Sequence, residues 1–232
     1  MNLSLSEKYK LCFKDRKFIF SVIGGFLFLA TSIVIAFFAI MYATESASQP
    51  VTDIILNNIP LFDVDGLFIY GPLVFWFIIF VYLIFEPKKI PFSLNSIALF
   101  TLIRSAAISL THIGPFMGNV QISSLGVLGV FTSGNDLFFS GHTGLPFLMA
   151  LILWDKKPMR YFCLAASVFF GAVVLMARLH YSIDVFAAFF ITYTIFKITE
   201  KLFKKIKKHF SRPFKSFPRA PRFFSLFSGS RR

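Results

Sequence analysis

"FFSGHTGLPFLMALILW", residues 138 to 154, opens on a small polar turn holding one histidine and then runs apolar to a tryptophan. A helix of this length reaches roughly 25 Å at 1.5 Å per residue, close to the ~30 Å hydrocarbon layer of a bilayer. Five more apolar stretches of spanning length lie at about 18–42, 67–85, 93–113, 161–179 and 182–199. With 56% hydrophobic residues and a mean hydropathy of +0.72, the chain is too apolar to bury in one soluble core of its 232 residues. In hydrocarbon each segment must satisfy its own backbone amides, so helices follow. The expectation is an all-α polytopic membrane protein with six transmembrane helices.

The cations orient it. Five of the 24 Lys and Arg residues precede the first stretch, two lie in "EPKKIPF", three in "DKKPMR" and twelve follow from Lys197, whereas 43–66 and 114–137 have none. This alternation predicts both termini and the two short basic loops in the cytoplasm, with the lysine-free loops outside. The chain divides into a basic segment at 1–17, a membrane domain at 18–199 and a basic, Phe-rich tail at 200–232 expected to be disordered. The first stretch exceeds a signal h-region and reads as a retained span. A formal charge of +13 raises nucleic acid as a partner. Half of the cations, however, sit in one tail with interleaved Phe beside a span, a composition that suits anionic lipid headgroups and not nucleic acid. His209 lies in that tail and receives no catalytic role. Cys12 and Cys163 make neither a disulfide framework nor a thiolate metal site.

His142 begins the fourth stretch at the outer face, and the fifth returns outward to "ARLHYSIDV", so His180 meets the same leaflet. Asp184 follows His180 by four residues, one helical turn, where a carboxylate can hold an imidazole. Asp136, Arg178, His112 at the end of the third stretch, and Asp63 and Asp65 before the second converge on this level. Each alone has a structural alternative: an interfacial histidine bonded to a carbonyl, or a His–Asp pair fixing a turn. Neither alternative explains two histidines and a carboxylate reaching one level by independent routes, and ionisable groups near a bilayer are costly enough to mark function. Arg104, inside the third stretch, binds a lipid phosphate or pairs internally. Arg178 suits phosphate oxygens bidentately.

Several chemistries are open to this set. His142, His180 and Asp184 could ligate zinc, but no HExxH helix or Cys-rich spacing accompanies them. Ser140 could serve as a hydrolase nucleophile, but it lacks a GxSxG elbow. Phosphoryl transfer without metal or cofactor fits better: a carboxylate-oriented histidine attacks phosphorus, a second protonates the departing oxygen, and cations or amides hold the equatorial oxygens. Outside enzymology, a transporter would carry its charges at mid-membrane, where only Arg104 lies, and a lipid scaffold would need no histidine pair.

"GNDLFFSGHT" (134–143) and "HYSIDVFAAFFIT" (180–192) resemble two signature motifs of the sphingomyelin synthase-related branch of the type 2 phosphatidic acid phosphatase superfamily. The first matches at Asp136 and at Ser140, Gly141, His142 and Thr143; the second at His180, Tyr181, Asp184, Val185 and the run from Ala188 to Thr192. "IPLFD" with Asp63 and "RSAAISLTHIGP" led by Arg104 are looser likenesses to its other motifs. The resemblance implies that His180 is the nucleophile, Asp184 its orienting partner and His142 the proton donor and acceptor. Asp136, Ser140, Gly141, Arg178, Tyr181, Arg104, His112 and Asp63 would line the substrate site. The implied reaction moves a phospho-headgroup from a glycerophospholipid to a lipid alcohol such as ceramide, at the non-cytoplasmic face. The phosphatase branch, with water as acceptor, would carry a Lys-x6-Arg-Pro string and an arginine six residues before the nucleophile. This chain has no such string, and Val174 at that position. Gly134 and Asn135 replace the Cys-Gly pair usual before the motif aspartate, which leaves the headgroup open.

Overall fold

The computed structural model describes residues 3–118 and 137–210, and within them every regular element is a helix. They are α1 (Leu5–Lys14), α2 (Arg16–Glu45), α3 (Asp65–Phe85), a 3₁₀ turn (Pro87–Lys89), α4 (Ile90–Leu110), α5 (Gly141–Ile152), α6 (Lys157–Met176), α7 (Ser182–Leu202) and α8 (Lys204–Phe210). Local chemistry sets the boundaries. Ser4 and Glu7 form a capping box on α1, Asp15 Oδ1 accepts the Lys17 amide at the start of α2, and Pro91 and Pro158 open α4 and α6, where a missing N–H costs nothing.

Five elements are long and apolar enough to cross a bilayer: α2, α3, the 3₁₀ turn with α4, α6, and α7. Their outward faces carry Phe20, Leu27, Phe38, Phe77, Phe80 and Val168 exposed, which suits lipid and not water as the surrounding medium. The fourth apolar stretch, expected to span over 138–154, departs from that reading as a helix of only 12 residues, roughly 18 Å long. Phe138, at φ 100°, bends the chain, Ser140 caps the helix, and a turn at Leu153 ends it. This short α5 is wrapped by α4, α6 and α7, with Leu148, Met149 and Ala150 fully buried. Around it the main core collects Phe75, Ile79, Phe100, Phe139 and Ile195.

One end of the bundle gathers the charged connections. Lys8 Nζ donates to the Phe85 carbonyl at 2.8 Å, Lys156 pairs with Glu86 at 3.2 Å, and Lys89 with Asp155 at 2.5 Å. The described start of the tail completes α7 at Leu202 and then forms α8. Phe210 of α8 packs with Cys12 and Phe18, and His209 Nε2 meets Asp15 Oδ2 at 2.5 Å, tying the two ends of the described chain together. Burial pushes the Cys12 thiol up to about 11, so it acts as a small apolar side chain. The remaining tail, 211–232, lies outside the described residues.

Candidate active site

At the opposite end, one backbone bond brings the two motifs together: the Ser140 amide donates to the Asp184 carbonyl at 3.0 Å. Ser140 begins α5, its Oγ accepting the Thr143 amide at 3.4 Å, and so places His142 in the first turn. Asp184 stands in the first turn of α7, where its Oδ2 accepts the Tyr181 amide at 3.1 Å and meets His180 Nδ1 at 3.2 Å. His180 is 4% exposed and Asp184 1%, so the pair is shielded from competing water. A carboxylate on Nδ1 holds the proton there and leaves Nε2 as the basic, nucleophilic nitrogen. Asp184 Oδ1 is buried with no hydrogen-bond partner among the described residues.

His142 lies against Phe68 of α3, ring centroids 4.4 Å apart and tilted by 31°. It opens on a cavity of about 170 Å³ whose wall also includes Arg104, Gly141, Trp76 and Phe170. Arg104 reaches this cavity from within α4, its Nε donating to the Phe139 carbonyl at 3.2 Å. Gly141 makes the approach possible: a Cβ there would stand 3.3 Å from Arg104 Nε. Of the two roles open to Arg104, the geometry thus includes an internal bond while keeping the guanidinium at the histidine's cavity.

The other expected site residues lie elsewhere. Arg178 takes a left-handed φ of 56°, donates to the Ile59 carbonyl at 3.0 Å and stacks over Phe116. It lines a separate cavity of about 320 Å³ with Val51, Thr52 and Leu56. The Tyr181 hydroxyl donates to the Gly114 carbonyl at 2.9 Å and accepts the Val51 amide at 3.1 Å, clamping two loops. Burial pushes its phenol up, which keeps it a neutral donor. The His112 ring packs edge-on to Tyr42 of α2, and Asp63 is exposed, accepting the Asp65 amide at 3.4 Å. Asp136 lies outside the described residues. Ser140 is wholly buried, and its Oγ caps α5 by accepting the Thr143 amide. No group of three His, Cys, Asp or Glu side chains among the described residues is arranged to hold a metal ion.

Two contributors escape sequence reasoning. Phe68 looks like any apolar residue of a span, yet it is the face on which His142 rests. Asp53 sits in the loop between α2 and α3, but its Oδ2 accepts both the Ser182 amide at 2.7 Å and the Ser182 hydroxyl at 2.8 Å. Its Oδ1 accepts the Ile55 and Leu56 amides at 2.9 and 3.0 Å. Burial pushes the Asp53 carboxyl up, but these four bonds outweigh it and hold the group below the usual carboxylate range. The only local signal is an aspartate whose side chain can accept the amide two residues on, which marks a turn and nothing further.

Among the described residues, five apolar helices of bilayer length suggest an integral membrane protein, and a buried His–Asp pair is tied by one backbone bond to the turn that carries a second histidine. Residues 133–202, which hold both motifs, match the family model of the PAP2 superfamily C-terminal domain. The match covers under a third of the chain, and it likens this segment to a superfamily whose members are phosphatases and phosphotransferases. Comparison with curated proteins and with solved structures gives no match.

Proposed function

We propose that the protein is a lipid phosphotransferase of the sphingomyelin synthase-like kind, moving a phospho-headgroup from a glycerophospholipid to a lipid alcohol such as ceramide. The observation that carries this reading is the bond from the Ser140 amide to the Asp184 carbonyl, which joins the turn of His142 to the His180–Asp184 pair at one rim of the bundle. His180 Nε2 attacks the donor phosphorus, an N–P bond forms, and the P–O bond to the diacylglycerol breaks as His142 delivers a proton to the departing oxygen. The acceptor alcohol then gives its proton to His142, its oxygen attacks phosphorus, and the N–P bond breaks to restore His180. Asp184 stabilises the charge on the His180 ring in between. Arg104 and the N-terminal end of α5, both on the cavity wall, supply positive potential for the equatorial oxygens.

In this reading the bundle crosses the bilayer six times, α5 making its short crossing inside a protein wall. Both termini and the basic end are cytoplasmic, the histidines face the periplasm, cell surface or lumen, and the tail binds anionic headgroups. The absence of a cation at position 174, a valine fully buried beside Phe68, favours transfer over the phosphatase branch. Purified protein in vesicles with labelled phosphatidylcholine or phosphatidylethanolamine should transfer headgroup phosphate only when ceramide is supplied. Headgroup release without an acceptor would defeat the transferase reading in favour of hydrolysis.

A further inference from the structure

The turn that carries His180 also borders a hollow that phosphotransfer leaves unused. Arg178, two residues before His180, lines the cavity of about 320 Å³ against the loop between α2 and α3, and this cavity shares no lining residue with the one that His142 and Arg104 face. Its volume falls within the range of small-ligand sites. Arg178 enters it from a left-handed backbone, one of two such non-glycine positions among the described residues. Backbone held in so sparsely populated a region clusters where a side chain is aimed at a ligand.

The guanidinium has capacity left over. Its Nη2 donates to the Ile59 carbonyl and its face lies over Phe116, but its buried Nε has no hydrogen-bond partner, and no carboxylate pairs with it among the described residues. Asp53, the acid of the adjoining loop, commits both carboxylate oxygens to Ser182, Ile55 and Leu56. A half-buried cation without a counter-charge is costly, and an anion in the cavity relieves it. Thr52 and Asn57 add a hydroxyl and a carboxamide to the lining, both exposed and neither hydrogen-bonded through its side chain among the described residues. The surroundings select the anion. Val51 and Met117 of the lining and the neighbouring Ile54 are 51%, 74% and 81% exposed, an apolar rim that suits lipid. At a bilayer surface the abundant oxyanion is phosphate, and a guanidinium with hydroxyl and amide donors matches its oxygens. We propose that the Arg178 cavity is a second phosphate site, separate from the reacting one, in which the anion bridges the α2–α3 loop and the turn before His180. A lipid headgroup and free phosphate share that chemistry. Occupancy adds a further tie between loop and turn, beside the bonds between Val51 and Tyr181 and between Asp53 and Ser182.

The test reads occupancy at the cavity and needs no turnover. Met117→Cys sets one reactive thiol in the lining of the full chain, held in micelles of a phosphate-free sugar detergent; Cys12 and Cys163 are wholly buried and stay silent. Inorganic phosphate, with chloride balancing the ionic strength, should slow alkylation of that thiol saturably. At about ten times the half-saturating concentration about a tenth of the cavities stay open, so the rate should drop about tenfold. Phosphatidic acid mixed into the micelles should do the same against a diacylglycerol control; slowing by the lipid alone assigns the phosphate to a headgroup, and slowing by both admits the free ion. Slowing by neither overturns the proposal, as does equal slowing by acetate. Two variants, each added to Met117→Cys, locate the anion. Arg178→Gln removes the charge while keeping an amide donor, and Asn57→Asp, at an exposed position that leaves the guanidinium in place, adds a carboxylate that repels phosphate. Each should cut the protection to under about twofold, by loss of the charge-assisted bond or by like-charge repulsion; full protection in either sinks the site. Arg104→Gln should keep the protection, and its loss there would place the phosphate in the His142 cavity instead. A protein that moves no headgroup yet shows Arg178-dependent protection refutes phosphotransfer alone.

Discussion

Asp53 gives the sharpest quantitative test of how the loop between α2 and α3 holds the site. Its carboxylate caps the first residue of α7 from 129 positions away, through the Ser182 amide and hydroxyl, while its other oxygen closes a turn on Ile55 and Leu56. Hydrogen bonds to a charged acceptor contribute about 1.5–3 kcal/mol each, and the two from Ser182 share one oxygen, so together they supply about 3 kcal/mol. Asp53→Ala removes this acceptor and the Ile55 and Leu56 bonds with it, so it should cost at least that much. Asp53→Asn keeps the Ile55 and Leu56 bonds but turns an amide toward the Ser182 donors, for about 2 kcal/mol. For a chain of this size 1 kcal/mol corresponds to about 2–4 °C, so Asp53→Ala should lower Tm by roughly 6–12 °C. Thermal unfolding in detergent micelles, followed by a side-chain label, reads this. The pH dependence is a second handle. The folded Asp53 lies below its ordinary pKa, so its contribution is complete above the unfolded value of about 3.9 and disappears as pH falls through the lower folded value. The gap between wild type and Asp53→Asn should therefore be full at neutral pH and close on acidification below about pH 4. A Tm change under 2 °C for Asp53→Ala, or a gap that does not narrow in acid, would refute the assignment of Asp53 as the cap of α7.

Asp184→Asn keeps the shape at His180 Nδ1 but removes the charge that holds its proton. Headgroup transfer should fall about 10²- to 10⁴-fold with little change in Tm, and activity within twofold of wild type would contradict the pair's role. Gly144→Ala would set a Cβ 2.8 Å from the Phe100 ring and from Thr192 Oγ1 where α4, α5 and α7 meet, so it should cost about 1–3 kcal/mol; an unchanged melting curve would disprove the tight packing. Transfer should persist in excess EDTA, and loss restored by one added metal would show that the histidines work through a cation.

The features legible in the chain are those set by neighbours along it. Continuous apolar runs follow from the cost of bare backbone in hydrocarbon and hold in the structure; His180 and Asp184 do meet, but His180 stands in the bend before α7 and not on its face, so Asp184 in the first turn reaches back past the N-cap Tyr181 to hold it. Composition also marked 138–154 as apolar, but it could not give the length of α5. That depends on Phe138 bending the chain and on a wall of α4, α6 and α7 that lets a 12-residue helix stay buried.

What tertiary structure alone decided is which polar groups share a space. Arg104 looked equally suited to a lipid phosphate or an internal partner; a bond to Phe139, 35 residues on, and a missing Cβ at Gly141 bring it to the cavity of His142. Arg178 is two residues from His180 yet turns to Ile59, because a left-handed backbone sends its side chain to another cavity. Phe68 and Asp53 carry no local mark of their roles. Hydrophobic burial and helix pitch act through near neighbours and are written in residue order, whereas a site depends on side chains from separate helices meeting, and only packing sets those distances.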